Sequence, residues 1–267
     1  MPSYVVTGAS RGIGLEFVRQ FSQDPSNVVF ALARNPQNAI KLHDLGKTAS
    51  NLHIVKGDLD DVQSLKAAAA EVAKVTGGSL DYLINNGAYT VVEHAKFNVT
   101  QFPDEKTLED DLIAAFRTNV AGVAHTINIF LPLLRKGSAK KVITLSTGLA
   151  DTDVILSTGF NVNPQYSISK AALNMLIAHY AVTLKDEGFI FLALSPGVVN
   201  SAEKPPSPED VEDFKKMVKR FQEYDPEWDG VPLTPQKSVS LMRDVIAKVG
   251  PKDTGAFISQ YGNKKWL

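Results

Sequence analysis

Tyr166 and Lys170 stand four residues apart in Gln165-Tyr166-Ser167-Ile168-Ser169-Lys170-Ala171-Ala172, a stretch that reads as the first turns of a helix. Residues i and i+4 share a helical face, so a phenol and an ammonium can reach one site if that face meets a ligand. A free phenol has a pKa of about 10, too high for easy proton exchange near neutral pH. A cation within about 4–6 Å favours the phenolate and lowers that value. The pair therefore suits a proton donor to an oxygen that gains charge during a reaction. The same spacing also describes a packed ring covered by a lysine stem, and the remaining sequence has to decide between the two.

Other chemistries are thinly represented. The 267 residues include no cysteine, which excludes disulfides, thiol nucleophiles and zinc–thiolate sites. His43, His53, His94, His125 and His179 show no metal-ligand spacing, so no metal is expected. The 28 basic and 29 acidic residues are intermixed, with a net charge of −1, so neither nucleic acid nor a membrane surface is an expected partner. A small, roughly neutral molecule is. Met1-Pro2-Ser3 leads straight into Tyr4-Val5-Val6-Thr7, without a basic n-region or cleavable apolar segment. Apolar runs such as 129–134 are far shorter than a membrane span. A cytoplasmic location is the expectation, and the Asn98-Val99-Thr100 sequon then reads as a chance match.

The elements that must position Tyr166 and Lys170 alternate along the chain. Short β-branched runs fall at 4–7, 28–33, 52–56, 82–85, 141–146, 190–194 and 256–259. Helical patterns fall between them at 12–23, 61–75, 106–134, 165–187, 207–222 and 235–248, with a shorter one near 37–46. Continuous apolar strands alternating with helices imply a doubly wound α/β fold, a parallel sheet covered on both faces. No repeat or long linker divides the chain, so residues 1–267 are expected to form one domain. The proline-rich excursion 201–234 is the candidate substrate lid.

The first strand runs into Thr7-Gly8-Ala9-Ser10-Arg11-Gly12-Ile13-Gly14, and a helix follows at once. In that context glycines let the backbone approach a pyrophosphate at a helix N-terminus. At the end of the second strand, where an NAD-selective site would carry an acid, the sequence has Ala33-Arg34-Asn35. A guanidinium matches phosphate oxygens, so Arg34, helped by Ser10 and Arg11, suits a 2′-phosphate and favours NADP(H) over NAD(H). Three more strand ends face the same crevice: Gly57-Asp58-Leu59, with Asp58 able to accept from the adenine amine, Asn85-Asn86-Gly87-Ala88, and Ser195-Pro196-Gly197-Val198-Val199-Asn200-Ser201.

With these motifs in this order, the chain resembles the short-chain dehydrogenase/reductase family, well over residues 1–200 and loosely beyond. The resemblance implies a Rossmann-like fold and a phosphate loop at Gly8, Gly12, Ile13 and Gly14. It places the adenine-contacting acid at Asp58 beside Leu59, and further cofactor contacts at Asn86, Gly87, Pro196, Gly197, Val199 and Ser201. It implies a catalytic Tyr166 and Lys170, with the helix asparagine at Asn119. The family's hydroxyl donor aligns with Thr147 in Leu145-Ser146-Thr147-Gly148, although Ser146 is an alternative. Two departures stand out. The Asn-Asn turn continues Gly87-Ala88 where the family has Ala-Gly, and the span between Thr147 and Tyr166 is longer than usual. The extra loop, 151–163, carries Val154, Ile155, Leu156 and Phe160 as expected contributors to a substrate wall.

Reduction of a carbonyl builds negative charge on its oxygen, so the site needs a donor to that oxygen and a proton to complete the alcohol. Tyr166 would supply the proton, Lys170 would lower its pKa and hold the nicotinamide ribose, Ser146 or Thr147 would donate to the substrate, and Asn119 would anchor a proton-relaying water. The expected activity is NADPH-dependent interconversion of a ketone or aldehyde with its alcohol. Tyr89, Phe160, Phe214, Met217, Phe221 and Trp228 suggest an apolar or aromatic substrate. A catalytically inactive dinucleotide-sensing or scaffold protein of the same fold is the competing reading, but it would have no need of Tyr166 and Lys170. Long helices at 106–134 and 165–187, apolar on more than one side, lead to an expected homodimer or homotetramer.

Overall fold

In a computed structural model, which describes residues 1–202 and 205–267, seven strands form one sheet. They are β1 (Ser3–Thr7), β2 (Val28–Ala33), β3 (Leu52–Lys56), β4 (Tyr82–Asn85), β5 (Lys141–Leu145), β6 (Ile190–Ser195) and β7 (Phe257–Ser259). All pair in parallel, in the order β3-β2-β1-β4-β5-β6-β7. After β3 the chain crosses back over β1 to start the other half, so the strand order reverses between β1 and β4. A crevice opens there at the carboxyl ends, where ligands of such sheets bind.

Strand side chains alternate between faces, and each face carries its own core. Val5, Phe30, Leu83, Val142 and Phe191 pack under α3 (Val62–Thr76), α5 (Val123–Lys136) and α7 (Pro164–Thr183). Val6, Val29, Ile84, Ile143 and Leu192 pack under α1 (Gly12–Ser22), α2 (Ile40–Gly46) and α9 (Pro235–Lys248). Burial on both sides explains why these strands read as unbroken apolar runs. Local chemistry sets the helix ends. Asp61 caps α3 by accepting from Gln63 and Ser64 N–H groups, and Gly77 ends it in the left-handed conformation. Thr234 caps α9 with Pro235 at its first position.

Three elements depart from the sequence expectation. The helix expected over 106–134 is α4 (Glu105–Phe116) and α5 joined by a π-helical stretch, Arg117–Gly122. The helix expected to reach 187 ends at Thr183, followed by a 3-10 turn at Lys185–Glu187. The extra loop contains a short helix, α6 (Thr152–Thr158), capped by Asp151 and stopped by left-handed Gly159. Within the 201–234 excursion, residues 203–204 lie outside the described residues, and the expected helix is α8 (Pro208–Tyr224). Ser207 caps it, Pro208 opens it, and Asp210 completes a reciprocal capping box. Among the described residues no helix is long and apolar enough to cross a membrane.

Candidate active site

The turn between β1 and α1 is bolted to the end of β4. The Asn86 amide donates to the carbonyls of Thr7 and Gly8, both at 3.0 Å, while Thr7 Oγ1 accepts from the N–H groups of Asn86 (3.1 Å) and Gly87 (3.0 Å). Gly8 has φ +62, and a Cβ there would sit 2.6 Å from Gly87 Cα; a Cβ on Gly14 would sit 2.4 Å from the Asn86 amide. No side chain caps α1, and its first turn holds no acid. Its leading N–H groups, with the positive end of the helix dipole, are left for an anion.

Around this turn the other expected residues form one crevice. Ser10 and Ile13 are half-buried and Arg11 exposed on the turn itself. Leu59 is buried and lies against Gly87 and Gly122, where added Cβ atoms would meet it at 2.9 and 2.8 Å. Asp58 is half-buried, with one carboxylate oxygen accepting the Asp60 N–H at 3.1 Å. Arg34 is exposed just beyond β2 and pairs with no carboxylate among the described residues. After β6, Pro196 and left-handed Gly197 turn the chain, Val199 pairs with Leu233, and Ser201 approaches Gly12. A cradle of glycines and free N–H groups beside an exposed guanidinium fits a dinucleotide.

Tyr166 and Lys170 lie on the first turns of α7, against the end of β5. Lys170 is only 2 % exposed, and its Nζ donates to the Leu145 carbonyl at 2.7 Å and sits 5.8 Å from the Tyr166 ring centroid. An ammonium has three donors, so two remain for a ligand. Burial pushes Lys170 down to about 8 and Tyr166 up to about 12. The expected lowering of the Tyr166 pKa is thus not found: desolvation of the phenolate dominates and the phenol holds its proton. Among the described residues the Tyr166 hydroxyl makes no hydrogen bond, which leaves it free to donate.

The two candidate hydroxyls have different surroundings. Ser146 is 2 % exposed and its Oγ donates to Asn174 Oδ1 of α7 at 2.6 Å. Thr147 is half-buried at the rim; its Oγ1 accepts the Leu149 N–H at 3.2 Å and caps the 3-10 turn Gly148–Ala150, leaving its own O–H to donate elsewhere. Asn119, fully buried in the π-helical stretch, is occupied. Its Oδ1 accepts from the Tyr89 N–H (2.7 Å), and its Nδ2 donates to the Tyr89 carbonyl and to Ser169 Oγ, both at 2.9 Å. Both amide donors are spent, so the side chain acts as a clamp and is not itself a donor to a water. That clamp ties the loop after β4 to α7, three residues from Tyr166. A π-helical stretch at such a place agrees with the frequent occurrence of these bulges at functional sites.

The extra loop builds a cavity of its own. Ile155 and Phe160 line about 480 Å³ with Leu149, Val162 and Ile168, but Thr147, Tyr166 and Lys170 are not among the lining residues. Val154 is instead core at 2 % exposure and Leu156 is solvent-facing at 81 %, because α6 turns one face in and one out. Phe221 is buried against Phe160 and Trp228, whereas Met217 is half-buried and Phe214 exposed. Lys96, on the loop after β4, reaches Glu209, Asp210 and Asp213 of α8 at 3.0, 3.0 and 3.2 Å. The sequence reading missed Thr7, Ser169, Asn174, Ser195 and Trp266, all of which support these residues. Their partners lie 28 or more residues away in all five cases, beyond any local pattern.

Comparison with known proteins agrees with this geometry. Residues 3–212 match the sequence model of the family described as short chain dehydrogenase. The short chain dehydrogenase virK of Hypocrea virens is 41% identical, and the short-chain dehydrogenase/reductase AacuF of Aspergillus aculeatus is also 41% identical; each alignment covers 100% of both chains. Among solved structures, the NADPH bound carbonyl reductase from chicken fatty liver superposes with a TM-score of 0.79 at 29% identity, covering 98% of each chain. With the glycine turn riveted to β4 and a tyrosine–lysine pair on α7, this chain belongs to the short-chain dehydrogenase/reductase family of oxidoreductases.

Proposed function

We propose that the protein is an NADPH-dependent carbonyl reductase acting on an apolar or aromatic ketone or aldehyde. The observation that carries this reading is a protonated, unpartnered phenol at Tyr166 beside a buried ammonium with two free donors at Lys170. NADPH, when bound, supplies the hydride. The α1 N-terminus and Gly8–Gly14 hold the pyrophosphate, Arg34 the 2′-phosphate, Asp58 the adenine amine and Lys170 the ribose hydroxyls. Thr147 donates a hydrogen bond to the carbonyl oxygen, and Tyr166 delivers its proton there as charge builds. Lys170 stabilises the phenolate left behind. Asn119 acts by holding the loop after β4 against α7. The name of the chicken enzyme, NADPH bound carbonyl reductase, is consistent with this reaction. Measuring NADPH consumption across a panel of apolar and aromatic carbonyls tests the reading; no turnover with any of them, despite tight NADPH binding, would refute it.

Cofactor preference rests on Arg34. Arg34→Asp removes a charge-assisted contact worth about 1.5–3 kcal/mol, so NADPH binding weakens by roughly 10- to 100-fold while NADH binding is unchanged or improved. Fluorescence titration of both cofactors reads this directly, and wild-type protein that binds NADH as tightly as NADPH contradicts the assignment.

A homo-oligomer is part of the same proposal. α4 and α7 pack together, and their outer faces expose Ile113, Phe116, Ile168, Met175 and Val182, each at least half exposed. An apolar surface spread over two adjacent helices is what a twofold interface covers. Light scattering at micromolar concentration should give a dimer or tetramer mass; a monomer across that range is the contrary result.

The segment 201–234 acts as a lid anchored at one end. Phe221 and the Arg220 bond to the Gly159 carbonyl at 2.8 Å fix the C-terminal half of α8, while exposed ion pairs to Lys96 hold its first turns. Exposed pairs contribute little individually and are screened by salt. Amides of 207–216 should therefore exchange faster than those of 217–224 in the free enzyme and slow with NADPH plus a substrate analogue. Equal protection with and without ligand would make the segment a fixed wall.

A further inference from the structure

We propose that Trp266 is a positioning residue for the reaction: it holds the Gly148 turn so that the Thr147 hydroxyl meets the substrate oxygen. The inference rests on Thr147 being the hydroxyl donor. Trp266 is 4 % exposed and stacks on Phe257 of β7, with ring centroids 4.4 Å apart. Its side chain lies directly against Gly148, since a Cβ on that glycine would sit 2.7 Å from Trp266 Cβ and 3.1 Å from its Cγ. Gly148 has no left-handed φ that would demand glycine, so space alone keeps a side chain out.

The turn pinned in this way is the one that sets Thr147. Thr147 caps it through Oγ1 and the Leu149 N–H, and its carbonyl accepts the Ala150 N–H at 3.0 Å. The Gly148 N–H donates to Ser195 Oγ at 3.1 Å, and the same oxygen accepts the Gly197 N–H at 3.4 Å. The turns after β5 and β6 thus share one acceptor, and Gln260, from the same segment as Trp266, fills the space over Gly197. If Trp266 moves, Gly148 gains freedom and the Thr147 rotamer loses its reference. Reacting groups displaced by about 1 Å can cost on the order of 100-fold. The groups expected to hold the pyrophosphate and 2′-phosphate lie in the turn after β1, at the start of α1 and just beyond β2, away from this contact.

The experiment measures kcat, KM, NADPH affinity and melting temperature for Trp266→Ala, Trp266→Phe and Gly148→Ala, and repeats Trp266→Ala in a Thr147→Ala background. Trp266→Ala should lower kcat by about 10- to 100-fold with NADPH affinity unchanged, and Trp266→Phe should restore most of it by refilling the contact. Gly148→Ala, which attacks the same contact from the other side, should lower kcat similarly. In the Thr147→Ala background, Trp266→Ala should cost little more, because the group it positions is gone. Independent, multiplying losses in the double variant overturn the proposal, as does full kcat in both Trp266→Ala and Gly148→Ala. If Trp266→Ala fails to fold, Gly148→Ala and Trp266→Phe decide alone. A Thr147→Ala enzyme with wild-type kcat would remove the underlying donor assignment, and the positioning role with it, whereas a slow Thr147→Ala enzyme with additive losses removes only the role of Trp266.

Discussion

Tyr166→Phe should lower the rate of carbonyl reduction by a factor on the order of 10²–10⁴, the usual contribution of one positioned proton donor, while NADPH still binds. The side chain keeps its ring, so packing at the start of α7 is preserved and the loss reports the hydroxyl alone. Single-turnover reduction and fluorescence titration separate the two effects; a variant that turns over at the wild-type rate would remove Tyr166 from the mechanism. The same pair sets a pH dependence. Burial holds Tyr166 near 12, so the donor stays protonated through the physiological range. Lys170 is charged only below its lowered value of about 8. As pH rises through that value the ammonium is lost, and with it the group that stabilises the developing phenolate. Reduction should therefore be full at lower pH and fall on a single limb near pH 8. Lys170→Met should be slow at every pH and should lack the limb.

Thr147→Ala is the second large effect. Losing one preorganised donor to a developing oxyanion typically costs on the order of 10²–10³ in kcat, and KM should change far less. Ser146→Ala is the internal comparison. Its hydroxyl already donates to Asn174 at 2.6 Å inside the α7 interface, so its removal leaves a half-buried acceptor unpaired and costs stability by about 1 kcal/mol, with a smaller loss of kcat. Steady-state kinetics and thermal melts on both variants read these two patterns; the reverse ranking in kcat would transfer the donor role to Ser146.

Much of this protein can be read from local rules. Alternation of apolar strands with helices gives a parallel doubly wound sheet because both sheet faces are buried, and seven strands form where seven apolar runs stand. The glycine turn announces itself because left-handed φ at Gly8 and Gly12 is a property of those residues. Tyr166 and Lys170 share a face because the helix repeat puts them there, and the start of α8 is legible because a cap, a proline and acids are chemistry within one turn.

What the tertiary structure decided is of a different kind. Strand parity turns Ser146 towards α7, but only the arrival of Asn174 there shows that its O–H is already donated, whereas the Thr147 hydroxyl accepts the Leu149 N–H and keeps its O–H to donate. Asn119 reads as a free polar group until Tyr89 and Ser169 use its amide. The sign of the Tyr166 shift reversed for a related reason. Spacing supplies a nearby cation, whereas desolvation depends on everything that folds over the pair, and here it wins. Trp266 gives no local signal at all, since its meaning is the space above Gly148, 118 positions earlier in the chain. Backbone conformation and periodicity are encoded within a turn or two of sequence. Burial, hydrogen-bond partners and the room left for a side chain are set by residues that only the fold brings together.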